Sequence, residues 1–150
     1  MTALPKASVD MSFDKLTGWS ATGATLKDVG RTAELTANGS ATTQLASIAN
    51  FNSKQEGRVR VIFTVHAIKT DVRCRSFINP IGAPGIIYGN WKTVPHNHTL
   101  TVSADLQMAV NTAFAVGIDI ASYPNAGTLP AGVKVNINQV AVDYARRQKR

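Results

Sequence analysis

Apolar and polar residues alternate with a period of two along most of this chain, and a helical period is hard to find. Val9, Met11 and Phe13 fall on one side of the segment 7–13. Between 58 and 67, Val59, Val61, Phe63, Val65 and Ala67 alternate with Arg58, Arg60, Ile62, Thr64 and His66. The same rhythm runs through Val72, Cys74, Ser76 and Ile78. Leu100, Val102, Ala104 and Leu106 oppose Thr99, Thr101 and Ser103. Phe114, Val116, Ile118 and Ile120 oppose Ala113, Ala115, Gly117, Asp119 and Ala121. Alternation of this kind predicts strands with one buried and one wetter face.

The final segment, 132–144, begins in one phase with Val133, Val135 and Ile137 and ends in the other with Val140, Val142 and Tyr144. A one-residue shift turns every side chain over, so a β-bulge is predicted near Asn138 and Gln139. Weaker strands are expected at 31–37 and 41–47, joined as a hairpin by Asn38-Gly39, and a short one from Gly85 to Trp91. Turn chemistry at Thr22-Gly23, Asn79-Pro80, Gly82-Ala83-Pro84-Gly85 and Tyr123-Pro124-Asn125-Ala126-Gly127 separates the runs. Only 46–55 and 105–112 have room for a helical turn, and both are also open to being loops. About eight to nine strands so spaced predict an all-β protein, an antiparallel jelly roll or β-sandwich. One domain over 1–150 is expected, with an extended N-terminal segment (about 1–8) and a basic tail (about 145–150).

Composition narrows the picture. A chain of 150 residues with 44% hydrophobic positions can bury a core without disulfides or metal. No apolar run approaches the ~18 residues of a membrane helix, so no membrane partner is expected. Charged residues make up 17%, against about 25% in an average soluble domain. The net charge is +7, of which Arg146, Arg147, Lys149 and Arg150 supply +4 and the body only +3. A nucleic-acid module would interleave basic and aromatic residues on one face; that pattern is absent, and nucleic acid is not an expected partner. Met1 to Lys6 show no charged start followed by an apolar stretch, so synthesis without a signal peptide is expected.

Candidate chemistry is sparse. Neither a phosphate loop nor a nucleophile elbow occurs, and no carboxylate pair suggests a glycosidase. Cys74, alone in the chain, shares its face with Val72 and Ile78. It reads as a core thiol rather than a nucleophile paired with His66. His96 and His98 point the same way in an extended chain, but a metal needs a third ligand that the neighbourhood lacks. No enzyme, cofactor or metal is predicted.

Two groups of residues suggest a surface for a partner. Arg58, Arg60, Arg73 and Arg75 alternate outward on two consecutive strands. If those strands pair through Ile68-Lys69-Thr70, the four guanidiniums share one face and call for acidic groups, internal (Asp71, Glu56) or on a partner. Tyr88 and Trp91, with Tyr123, are candidates to line a sugar or protein contact, although the favoured reading has Trp19 and Trp91 cap the two ends of the core.

Gly18-Trp19-Ser20 with Gly23, and the closing run from Gly132 to Tyr144, resemble the ends of carbohydrate-binding-module jelly rolls. In size, in its wealth of Thr, Ala, Asn and Gly, and in the expected lack of a signal peptide, the chain is also similar to the jelly-roll cement or decoration proteins of tailed-phage heads. That second resemblance implies a non-enzymatic capsid protein on the virion surface. It would clamp neighbouring major capsid proteins by many weak contacts, as a homodimer or trimer, through the arginines, Tyr88, Trp91 and the basic tail. The sparse charge favours this reading, since a surface kept inside an assembly needs less charge for solubility. The alternative is a binding module for a glycan, centred on Trp91, Tyr88 and Tyr123.

Overall fold

The computed structural model describes residues 6–12, 19–30, 32–47, 51–53, 57–80, 85–108 and 112–146. Thirteen strands and no helix occur among them. β1 (Lys6–Ser12), β2 (Trp19–Thr22), β3 (Ala24–Asp28), β4 (Ala33–Ala37) and β5 (Thr43–Ser47) precede the short β6 (Phe51–Ser53). The long β7 (Gly57–Ala67) and β8 (Val72–Pro80) follow, then the short β9 (Ile87–Tyr88) and β10 (Lys92–Val94). β11 (Thr99–Met108), β12 (Thr112–Ser122) and β13 (Lys134–Arg146) complete the order. They form two antiparallel sheets. One runs β11-β7-β13-β4-β3, with β1 also on β13; the other runs β10-β8-β12-β5-β2, with β6 on β12 and β9 on β8.

The alternation explains why these sheets stack as a β-sandwich. Val59, Val61, Phe63, Val65 and Ala67 from one sheet meet Val72, Cys74, Ile78, Phe114, Val116, Ile118 and Ile120 from the other, all buried. Trp19 closes one part of this core, its ring edge-on to Phe63 at 6.1 Å. Chain crossings between the sheets need tight corners. At Gly23, between β2 and β3, φ is +70° and a Cβ would come within 1.8 Å of the Thr42 carbonyl oxygen, so only glycine fits. The phase switch in the last strand is a register shift against β7 between Ile137 and Gln139. It falls where the other neighbour of β13 changes from β4 to β1.

Three expectations need correction. The segments around Asn38-Gly39 do not form a hairpin: β4 pairs with β3 and β13, while β5 pairs with β2 and β12 in the opposite sheet. The turn itself forms, with Gly39 at φ +83° and the Asn38 carboxamide oxygen accepting from the Ser40 amide. It turns a corner because Leu35 and Leu45 must enter the core from opposite sides. In the same way β7 and β8 do not pair, since Ile68-Lys69-Thr70 also crosses between sheets. Arg58 and Arg60 therefore lie on one outer face and Arg73 and Arg75 on the other. Finally, 105–108 belongs to β11 and 51–53 to β6, rather than to helical turns. Residues 6–8 pair with β13 as part of β1, and 145–146 continue β13; residues 1–5 and 147–150 lie outside the described residues.

Candidate functional site

The outer face of the β8 sheet is organised in rows across its strands. Arg75 on β8 stands opposite Asp119 on β12, which stands opposite Gln44 on β5. Arg75 Nε donates to Asp119 Oδ2 at 3.2 Å, and Gln44 Nε2 donates to Asp119 Oδ1 at 2.9 Å. Both carboxylate oxygens are thus engaged in a setting where Asp119 is 12% and Arg75 28% exposed. In the next row Tyr88 on β9 stands opposite Phe77, and Phe77 opposite Gly117. The Phe77 and Tyr88 rings meet at 5.9 Å, edge to face.

The arginine and the aromatic residues form one unit. The Arg75 guanidinium carbon lies 3.7 Å from the centre of the Tyr88 ring and 4.5 Å from that of Trp91. The cation is attracted to the electron-rich ring faces, while Asp119 fixes its Nε end. Both rings are therefore held in place although Tyr88 is 42% exposed. Beside this unit Arg73 Nη1 donates to the Pro124 carbonyl at 3.2 Å, tying down the loop that carries the 51% exposed Tyr123.

The structure thus brings together Arg73, Arg75, Tyr88 and Trp91, which the sequence had offered as two separate groups. Trp91 is half-buried against Arg75 rather than a core cap; Trp19 alone of the two tryptophans fills the core. Arg58 and Arg60 sit on the far face, where both reach Asp105 Oδ2, at 3.0 and 3.2 Å. Partial burial pulls the Asp105 carboxyl up, but hydrogen bonds from Arg60 and Arg58 outweigh it and hold the pKa below its ordinary value. Asp71, expected near the arginines, instead accepts from the His96 amide at 2.8 Å and contacts His96 Nδ1 at 2.7 Å. Glu56, the side chain of Arg146, and Arg147, Lys149 and Arg150 lie outside the described residues.

Sequence reasoning missed Asp119, Gln44 and Gly117. A signal was present for one of them. The outward positions of β12 read Ala113, Ala115, Gly117, Asp119 and Ala121, a lone carboxylate among small residues. Cys74 is no partner for His66, because it faces the core and burial pushes its thiol pKa up. His98 Nδ1 lies 3.0 Å from the His96 carbonyl oxygen. Among the described residues no group of three His, Cys, Asp or Glu could hold a metal ion.

No family model and no curated protein matches the chain. Solved structures do. The fold is similar to that of the CBM22-1 xylan-binding domain of Paenibacillus barcinonensis Xyn10C, at a TM-score of 0.65 and 10% identity, covering 99% of each chain. The CBM22-2 xylan-binding domain of the same protein gives 0.67 at 9% identity over 91% of this chain and 98% of that one. The CBM35 of Cellvibrio japonicus Abf62 gives 0.58 at 15% identity over 95% and 100%. At these identities the likeness establishes the β-sandwich fold.

These matches overturn the expectation of a phage capsid decoration protein clamping major capsid proteins as a dimer or trimer. The similar structures are carbohydrate-binding modules and none of those named is a capsid protein. The reason the expectation failed is physical. Sparse charge and a surface rich in Thr, Ser, Asn and Ala do not by themselves indicate that a surface is covered by protein.

Proposed function

We propose that the protein is a non-catalytic module that binds a glycan on the outer face of the β8 sheet, around Tyr88, Trp91 and Arg75. One observation carries the reading: a half-exposed tyrosine and a tryptophan are fixed by a single arginine that is itself anchored to Asp119. Sugars present apolar C–H faces and a rim of hydroxyls. A rigid aromatic pair offers contact area at low entropic cost, and guanidinium and carboxamide groups beside it offer directed hydrogen bonds. Tyr, Trp and Arg are also the side chains that dominate binding energy where they are held in place. The likeness in fold to xylan-binding domains supports the choice of a glycan over a protein partner.

Calorimetric titration with a panel of soluble polysaccharides, xylan and β-glucans among them, tests this. Binding of at least one polymer by the native protein is expected, with loss of that binding in Trp91→Ala. Failure to bind any member of the panel would overturn the reading.

A further inference from the structure

The cations on the two outer faces are disposed differently. On the β7 sheet Arg58 and Arg60 both reach Asp105, and Lys134 lies 3.7 Å from Glu34, so each of these cations has a carboxylate partner. On the β8 sheet only Arg75 is paired with a carboxylate, Asp119, whose two oxygens are engaged by Arg75 Nε and Gln44, and Arg73 has none among the described residues. The remaining described outward positions on β2, β5, β10 and β12 are Ser, Thr, Ala and Gly. Arg73 is therefore a cation of this face with no ion-pair partner among the described residues.

The free valences sit on the two guanidiniums. Arg75 spends only Nε on Asp119, so Nη1 and Nη2 have no partner among the described residues. Arg73 donates Nη1 to a neutral carbonyl, has no carboxylate partner among the described residues, and has its Nε buried without an acceptor. The two arginines are two positions apart on β8, about 7 Å along the strand, and on the same side. Arg75 is also oriented, its plane set by the Tyr88 and Trp91 rings and its Nε end by Asp119. A guanidinium fixed in this way presents a planar fork of N–H donors, the geometry that matches a carboxylate by two parallel bonds.

We infer that the glycan taken by this face is acidic, a uronate-bearing polysaccharide whose carboxylate is held by Arg75 and Arg73 while its sugar ring lies against Tyr88 and Trp91. The inference rests on the glycan-binding reading above and deepens it. A neutral sugar would supply hydroxyl acceptors to the same donors but leave the Arg73 charge uncompensated. A carboxylate satisfies both the charge and the fork.

The test compares each acidic polymer with its own carboxyl-reduced form, which keeps the sugar backbone and removes the charge. Polygalacturonate, glucuronoxylan and alginate are titrated into the native protein beside their reduced counterparts and beside dextran sulfate. At least one acidic polymer is expected to bind about tenfold or more tighter than its reduced form, as loss of a charged hydrogen-bond partner implies. Arg73→Gln is expected to weaken binding of the acidic polymer far more than that of its reduced form, removing most of that difference. Equal binding of the acidic and reduced forms would overturn the inference and leave the glycan reading standing. Dextran sulfate binding as tightly as the uronate polymers would overturn it too, since charge alone would then explain the affinity. Binding of none of the acidic, reduced or neutral polymers would overturn both.

Discussion

The ring of Phe77 occupies the space that a side chain at Gly117 would need. A Cβ at Gly117 would come within 2.2 Å of the Phe77 ring and 2.7 Å of the Leu45 carbonyl oxygen. The carbonyl belongs to the backbone of a paired strand and cannot give way, so any substituent must displace Phe77. Phe77 in turn supports Tyr88, and Tyr88 lies under Arg75. Gly117 thus sets the height of the aromatic unit over the sheet.

Gly117→Ala is accordingly expected to disturb stability and binding together. Overpacking at such a contact costs about 1–3 kcal/mol, read by chemical denaturation. Glycan affinity should fall by about tenfold or more at a temperature where the variant is fully folded. Unchanged affinity would separate Phe77 from the site.

Trp19 provides the opposite case. It packs edge-on against Phe63 in the core, away from the outer face of the β8 sheet. Trp19→Ala should lower stability by about 3–5 kcal/mol and leave glycan affinity unaltered below its lowered melting temperature. A binding loss with no stability loss would assign Trp19 to the site instead.

The period-two pattern located the core most plainly in β7, which has only one buried side: the residues it placed inward from 58 to 67 are all buried and the alternate ones are not. The phase switch at Asn138 was legible for the same reason. Pairing was not. Asn38-Gly39 and Ile68-Lys69-Thr70 are local turn signals, and a local signal is the same whether the chain folds back on its neighbour or crosses to the other sheet. β2 and β3 escaped because they are short and polar. Tyr88, Trp91, Arg73 and Arg75 were visible as candidates, but their assembly depends on Asp119 and Gln44, which are 75 positions apart and meet only through β12.

The Asp71–His96 contact predicts a local pH dependence. Hydrogen bonds from the His96 amide and then from its ring hold the Asp71 carboxyl below the ordinary value of 3.8. A folded value below the unfolded one means that the stabilisation is present above the unfolded pKa and is lost as pH falls through the folded value. NMR titration of the Asp71 carboxyl should show this lowered value. In His96→Ala it should rise part of the way back, because the amide hydrogen bond remains. An unchanged value would remove the ring from the account.

Cys74 is expected to be inert. Its side chain is fully buried and burial raises its thiol pKa. A thiol reagent at neutral pH should leave the native protein unmodified and label one cysteine once the chain is denatured. Rapid labelling of the native protein would place Cys74 outside the core.

The most direct test of the central claim is to map the bound glycan by NMR on isotopically labelled protein, using the polysaccharide fragment that binds best. The Trp91 indole, the Tyr88 ring and the Arg75 guanidinium signals are predicted to shift together on saturation, with the outer face of the β7 sheet silent at Arg58, Arg60, Thr64 and His66. Shifts confined to that opposite face, with Trp91 and Tyr88 unmoved, would contradict it.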